Sequence, residues 1–134
     1  MNLNIPISDI MTKKVVSVNS SQKLVDVKHI FEKKEFHHHI PVVDDGKLIG
    51  IISLIDFMYA LKNASLDDNE EVYTTQFVKD IMHINPITKS SSATLKDIAD
   101  ELAKGEIHAV VIADEGVLKG IVSTADVIRY FLSN

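Results

Sequence analysis

HHIPVVDDGKLIGIISLIDF at residues 38–57 and HAVVIADEGVLKGIVSTADV at residues 108–127 are one pattern written twice. A shift of 70 pairs His38 with His108, Asp44 with Asp114, Gly46 with Gly116, Leu48 with Leu118, Gly50 with Gly120, Ile51 with Ile121, Ser53 with Ser123 and Asp56 with Asp126. Upstream the register is 71: DIM at 9–11 returns as DIM at 80–82, Ser20 and Ser21 as Ser91 and Ser92, Leu24 as Leu95, Asp26 as Asp97 and Lys33 as Lys104. Scattered leucines recur by chance between any two helices. Glycine, serine and aspartate at fixed offsets in two separate blocks mark an internal duplication.

Each repeat reads as strand, helix, strand, strand, helix. VVSV at 15–18 predicts a short extended piece, matched by PIT at 86–88, where Pro86 disfavours a helical residue before it. Leu24, Val27, Ile30 and Phe31 then recur at helical spacing, as do Leu95, Ile98, Ala99 and Leu102, and Thr94 with Asp97 forms a capping-box pattern. IPVV at 40–43 and LIGII at 48–52 flank DDGK, while AVVIA at 109–113 and LKGIV at 118–122 flank DEGV, so each pair predicts a hairpin. Final helices are expected at about 54–62 and 124–132. The repeats are placed at 1–62 and 76–134, with ASLDDNEEVYTT inside an acidic, solvated linker over 63–75. A unit of about 60 residues has a marginal core on its own. The expected architecture is therefore α/β (α+β): two βαββα repeats packed face to face by pseudo-two-fold symmetry.

Composition narrows the functions. The chain has 134 residues, 46% of them hydrophobic, and its 14 Lys and Arg against 19 Asp and Glu give a formal charge of −5. No basic surface of the kind nucleic acid needs dominates it. Without cysteine it has no disulfide framework, thiolate zinc site, iron–sulfur cluster or thiol nucleophile. MNLNIPISDIMTKK lacks a basic end followed by a long apolar run, and no stretch is apolar enough to span a bilayer. The expectation is a soluble, unexported, cytoplasmic protein with no attached catalytic or transport domain, whose output passes through another polypeptide.

The candidate chemistry lies where the last strand of each repeat meets its last helix. GIISLID at 50–56 and GIVSTAD at 120–126 share Gly, two apolar residues, Ser, two variable residues and Asp. Ser at the N-cap with Asp three residues on is a helix-capping arrangement. The same groups suit a nucleoside phosphate: helix-start amides attract phosphate, the Ser hydroxyl adds a donor, and the carboxylate accepts from two vicinal ribose hydroxyls. The glycine ahead of each pattern removes a side chain where a ligand or neighbouring strand approaches.

DIM followed by VVSV, together with the two quoted twenty-residue blocks, resembles a tandem pair of CBS (cystathionine β-synthase-type) domains, the Bateman module. The likeness covers nearly the whole chain. It implies face-to-face packing, with inter-repeat clefts that bind adenine ligands such as AMP, ADP, ATP or S-adenosylmethionine. By position it implies ribose contacts for Asp56 and Asp126, phosphate or ribose contacts for Ser53, Ser123 and Thr124, and adenine borders at Val16 and Ile87. It also implies a homodimer built on the helices of LIDFMYAL and TADVIRYFL. The chain departs from the family pattern in two places. The second repeat has no counterpart of Pro41, and where the family often carries a basic residue after the histidine the repeats offer His39 and Ala109, so the two clefts are expected to be unequal. Sparse cations favour AMP or ADP over ATP.

His37, His38 and His39 admit a structural role, phosphate contact by His38, His39 or His108, or metal binding. Strand alternation lets at most His37 and His39 share a side, and His83 and His108 join them only if folding brings them near; no metal site is assigned. DDNEE at 67–71 is a solvated stretch or a cation site, and Phe57, Met58 and Tyr59 are helix packing or a base-stacking surface. No GxSxG elbow or P-loop is present, and the Ser–Asp pairs have no sequence-defined base. The sequence therefore predicts a non-enzymatic module that requires no cofactor and takes an adenine nucleotide as regulatory ligand. The alternative is a ligand-free dimerisation or interaction scaffold.

Overall fold

In the computed structural model, which describes residues 2–33 and 38–133, contacts divide the chain into two units whose limits differ from those of the repeats. Val16–Pro86 forms a continuous unit, and Met1–Val15 joins Ile87–Asn134 in a split unit. The segment that opens each repeat therefore packs with the body of the other repeat.

The continuous unit comprises α1 (Leu24–Phe31), β1 (His39–Asp44), β2 (Lys47–Ser53), α2 (Leu54–Leu61), α3 (Val72–Thr75), α4 (Val78–Ile81) and β3 (His83–Ile84). Its sheet has the order β1-β2-β3, all antiparallel. The expected strand at 15–18 reduces to one parallel bridge, Val18 to Val42. Leu24, Val27 and Phe31 from one stripe of α1 meet Ile40 and Val42 from one face of β1, with Ile52, Phe57, Leu61, Tyr73 and Val78. The helical and alternating periods thus converge on one core, where each fully buried aliphatic side chain contributes about 1.5–3 kcal/mol.

The split unit contains a 3-10 turn (Ile7–Asp9), β4 (Thr88–Lys89), α5 (Leu95–Ala103), β5 (Ala109–Asp114), β6 (Val117–Ser123) and α6 (Thr124–Ser133). Its sheet runs β4-β5-β6, with β4 parallel to β5 and β5 antiparallel to β6. Leu95, Ile98 and Leu102 of α5 pack with Val110, Ile112, Val122 and Ile7. Ile7 comes from the start of the chain, so the N-terminal segment is part of this core.

Both hairpins turn through two residues of positive φ, Asp45 (50°) with Gly46 (78°) and Glu115 (51°) with Gly116 (79°). That backbone matches the strand twist, which is why an acidic residue followed by glycine recurs there. Each hairpin is clamped to the loop before its unit's first helix. Asp44 accepts from Ser20 N–H at 2.9 Å and Ser20 Oγ at 2.5 Å; Asp114 accepts from Ser91 N–H at 2.9 Å and Ser91 Oγ at 2.5 Å. The serine hydroxyls, then their backbone amides, hold both carboxyls below the usual carboxylate range.

Structure corrects the reading of 63–75 as a wholly solvated connector. Tyr73 has no exposed surface, donates its hydroxyl to Ser65 O at 2.6 Å and stacks on Phe57 with ring centroids 6.5 Å apart. Burial pushes the Tyr73 hydroxyl pKa up. Asp68 accepts from Lys28 Nζ at 2.6 Å, and Lys28 is buried. A single tyrosine in an acidic stretch creates no period, so the pattern of the segment concealed its anchor.

Candidate functional site

The two Ser–Asp pairs are built alike. Ser53 ends β2 in extended backbone, and its Oγ accepts from Asp56 N–H at 3.1 Å while Asp56 Oδ2 accepts from Ser53 N–H at 2.8 Å. Ser123 and Asp126 repeat both bonds at 3.1 and 2.8 Å. The capping arrangement is therefore present in both units, and it occupies one oxygen of each carboxylate. Both carboxylate side chains are 14% exposed, and Oδ1 of each takes no part in the cap.

The hairpins bring the predicted histidines to the same ends. Leu54 N–H donates to His38 O at 2.8 Å, and Thr124 N–H donates to His108 O at 3.0 Å. Thr124 Oγ1 also approaches His108 O, at 3.4 Å. His39 stands opposite Ser53 in the β1–β2 register, where the split unit sets Ala109 opposite Ser123. These bonds commit the first helix amide of each unit to a carbonyl, and the Ser hydroxyl occupies the third. An incoming phosphate meets fewer open amides here than at an uncapped helix start. Val16 and Ile87, expected to border adenine, are 49% and 44% exposed. His37 lies outside the described residues.

Two nitrogen-bearing side chains beside the carboxylates were not assigned to these sites from sequence. His83 Nε2 lies 2.7 Å from Asp56 Oδ1, and Arg129 Nη1 donates to Asp126 Oδ1 at 2.9 Å. Arg129 sits three residues beyond Asp126 on α6, a spacing visible in the sequence. His83 arrives through the pairing of β3 with β2, which no local pattern announces.

Phe57 is buried against Phe31, ring centroids 5.5 Å apart, so helix packing accounts for it. Met58 and Tyr59 are 56% and 79% exposed. They, with Ile55, Ile128, Phe131 and Leu132, leave apolar surface on α2 and α6. Among the described residues one group could hold a metal ion: His29, Glu32 and Asp68, with ligand atoms within 4.8 Å of one another. Lys28 Nζ already lies 3.0 Å from Glu32 and 2.6 Å from Asp68, so the protein's own ammonium offsets one of the two carboxylate charges and occupies an oxygen of each. The Asp68 hydrogen bond, then that of Glu32, raises the Lys28 pKa, and Lys28, then His29, lowers that of Asp68. Among the described residues no helix is long and apolar enough to cross a membrane.

Known proteins share this construction. The CBS domain family matches the chain twice, over residues 7–63 and 78–133. Protein MJ1225 of Methanocaldococcus jannaschii is 31% identical over 131 residues, covering 93% of this chain and 46% of that protein. Its crystal structure is similar with a TM-score of 0.83 at 29% identity, covering 98% of this chain and 49% of the other. This chain thus spans about half the length of the first curated relatives it matches. The CBS domain pair of protein MJ0100, in complex with 5′-methylthioadenosine and S-adenosyl-L-methionine, gives a TM-score of 0.79 at 27% identity, covering 96% of this chain and 97% of the other. CBSX2 of Arabidopsis thaliana is similar in its complex with AMP, with a TM-score of 0.79 at 25% identity and coverage of 96% of each chain. Two family matches falling on the two repeats, joined to a mixed α+β fold with one sheet and flanking helices per unit, make this chain a member of the CBS domain family, a tandem pair.

Proposed function

We propose that this chain is a regulatory module that binds an adenine nucleotide, AMP or ADP in preference to ATP, at Asp56 and Asp126 and signals to a separate partner protein in the cytoplasm. The observation that carries the reading is the duplicated Ser–Asp box: Oδ2 of each aspartate is fixed by the helix cap, and Oδ1 is held only by a nitrogen of an exposed side chain, His83 or Arg129. A held carboxylate edge suits a ribose diol, the group common to AMP, 5′-methylthioadenosine and S-adenosylmethionine, the ligands of the similar pairs. Ser53, Ser123, Thr124, His38, His39 and His108 stand for the phosphate and ribose, with Val16 and Ile87 for adenine. No catalytic role and no required cofactor is assigned to the chain.

Calorimetry on the wild type, D56A and D126A with AMP, ADP, ATP and S-adenosylmethionine tests this reading. A lost hydrogen-bonding group of full charge costs about 1.5–3 kcal/mol, so each variant should lose roughly ten- to a hundredfold in affinity at its own site. Loss of the cap is read separately by thermal unfolding and should cost about 1 kcal/mol.

A second reading rests on the exposed apolar residues of α2 and α6, which suit a homodimer or an interaction scaffold without ligand. It replaces the first if the wild type binds none of the four ligands. Sedimentation showing a monomer throughout the micromolar range would remove the homodimer from either reading.

A further inference from the structure

The two units hold their site carboxylates by different means. In the split unit Asp126 Oδ1 is taken by Arg129 of its own helix. In the continuous unit Asp56 Oδ1 is taken by His83, which reaches it from β3 because His83 pairs antiparallel with Ile51 of β2. A shift of 71 places Thr12 where His83 stands, and Thr12 pairs with Ile121 in the same antiparallel manner. The backbone frame is therefore common to both units, and the imidazole is an addition peculiar to one.

The energetics of that addition are one-sided. Asp56 is 14% exposed and its other oxygen is tied to Ser53 N–H, whereas the His83 side chain is 70% exposed. The carboxylate stays in place, and the imidazole can turn into water at small cost. An ion pair or hydrogen bond with one partner this exposed contributes only about 0.2–1 kcal/mol. A diol that donates to Oδ1 competes with this single bond and leaves the cap on Oδ2 intact. We propose that His83 is a displaceable occupant of Asp56, a positioning residue that holds the carboxylate until the ribose diol of an adenine nucleotide takes its place. This rests on the nucleotide reading given above. Its consequence is that His83 weakens binding at Asp56 for ligands bearing the diol and leaves ligands without it unaffected.

The test uses AMP and 2′,3′-dideoxyadenosine 5′-monophosphate on the full chain, with D126A as a background in which the Asp56 site is read alone. H83T, which installs the residue of the matching position, should bind AMP about 1.4- to fivefold tighter, the factor that corresponds to one exposed pair. The dideoxy analogue should show no such gain. In the wild type, the ring nitrogen resonances of His83 should move on saturation with AMP and remain still with the analogue, a signature that a merely structural histidine does not give and that requires no variant to fold. Equal or weaker AMP binding by H83T, or His83 resonances unmoved by saturating AMP, overturns the proposal. If AMP binds and D56A abolishes it while H83T changes nothing, the nucleotide reading stands and the role of His83 falls. If the wild type binds no AMP, both fall.

Discussion

Thr12 and Ile121, from opposite ends of the chain, exchange both backbone hydrogen bonds: each N–H donates to the other's carbonyl at 3.0 Å. The bridge closes the β6 edge of the split unit with a residue of the first repeat. His83 and Ile84 do the same for β2 with residues of the second repeat. Both approaches run past a glycine, and this explains why Gly50 and Gly120 recur.

Gly120→Ala should destabilise the protein by about 1–3 kcal/mol, the range for forced overpacking. A Cβ on Gly120 would stand 2.6 Å from Met11 Sδ and 2.8 Å from Thr12 O; the sulfur can move, but the carbonyl is backbone. Gly50→Ala should act similarly, with His83 O at 2.8 Å. Urea unfolding checks this as a lowered midpoint. A wild-type midpoint in both variants would mean that the edge segments yield freely.

Stability should fall in acid, and the serine clamps should account for part of the fall. Asp44 and Asp114 have pKa values below 3.8 in the folded protein, so the unfolded chain binds their protons more readily. Their contribution is complete above about pH 3.8 and is lost as pH falls through their lower folded values. Unfolding free energies measured from about pH 2 to 7 should therefore show a shallower acid limb in the D44A/D114A variant, together with lower stability at neutral pH. Asp68 and Asp97, also held low, keep some slope in that variant.

Tyr73→Ala should cost about 3–5 kcal/mol, as expected for truncating a large buried aromatic. Its neighbour Glu71 is exposed, and Glu71→Ala should stay within about 0.5 kcal/mol. Chemical denaturation of the pair separates an anchored segment from a passive one. Equal, small effects in both would restore the solvated connector.

Much of the candidate site was legible because its logic is local. Ser53 with Asp56 and Ser123 with Asp126 are i and i+3 partners, and the helix start they cap follows from hydrophobic period and the preceding strand. Arg129 was equally local but went unassigned, because α6 also carries Ile128, Phe131 and Leu132 on an exposed face that reads in sequence as packing. His83 was named only as a candidate metal ligand, since its partner Asp56 is distant in sequence.

By itself the sequence determined the longer helices, hairpins and caps of each repeat, though not the short β3, α3 and α4: helices from the spacing of Leu24, Val27 and Phe31, hairpins from Asp45–Gly46 and Glu115–Gly116, and caps from the Ser–Asp and Thr–Asp pairs. Each is a relation among near neighbours, set by backbone geometry and side-chain period. Only the tertiary structure decided which DIM segment closes which sheet. Backbone hydrogen bonds carry no residue identity, and the two repeats offer nearly the same glycine-lined edge, so the pattern of Gly50 and Gly120 fits a segment from either one. The exchange, the burial of Tyr73 and the meeting of His83 with Asp56 all follow from chain path and long-range packing, which residue spacing does not encode.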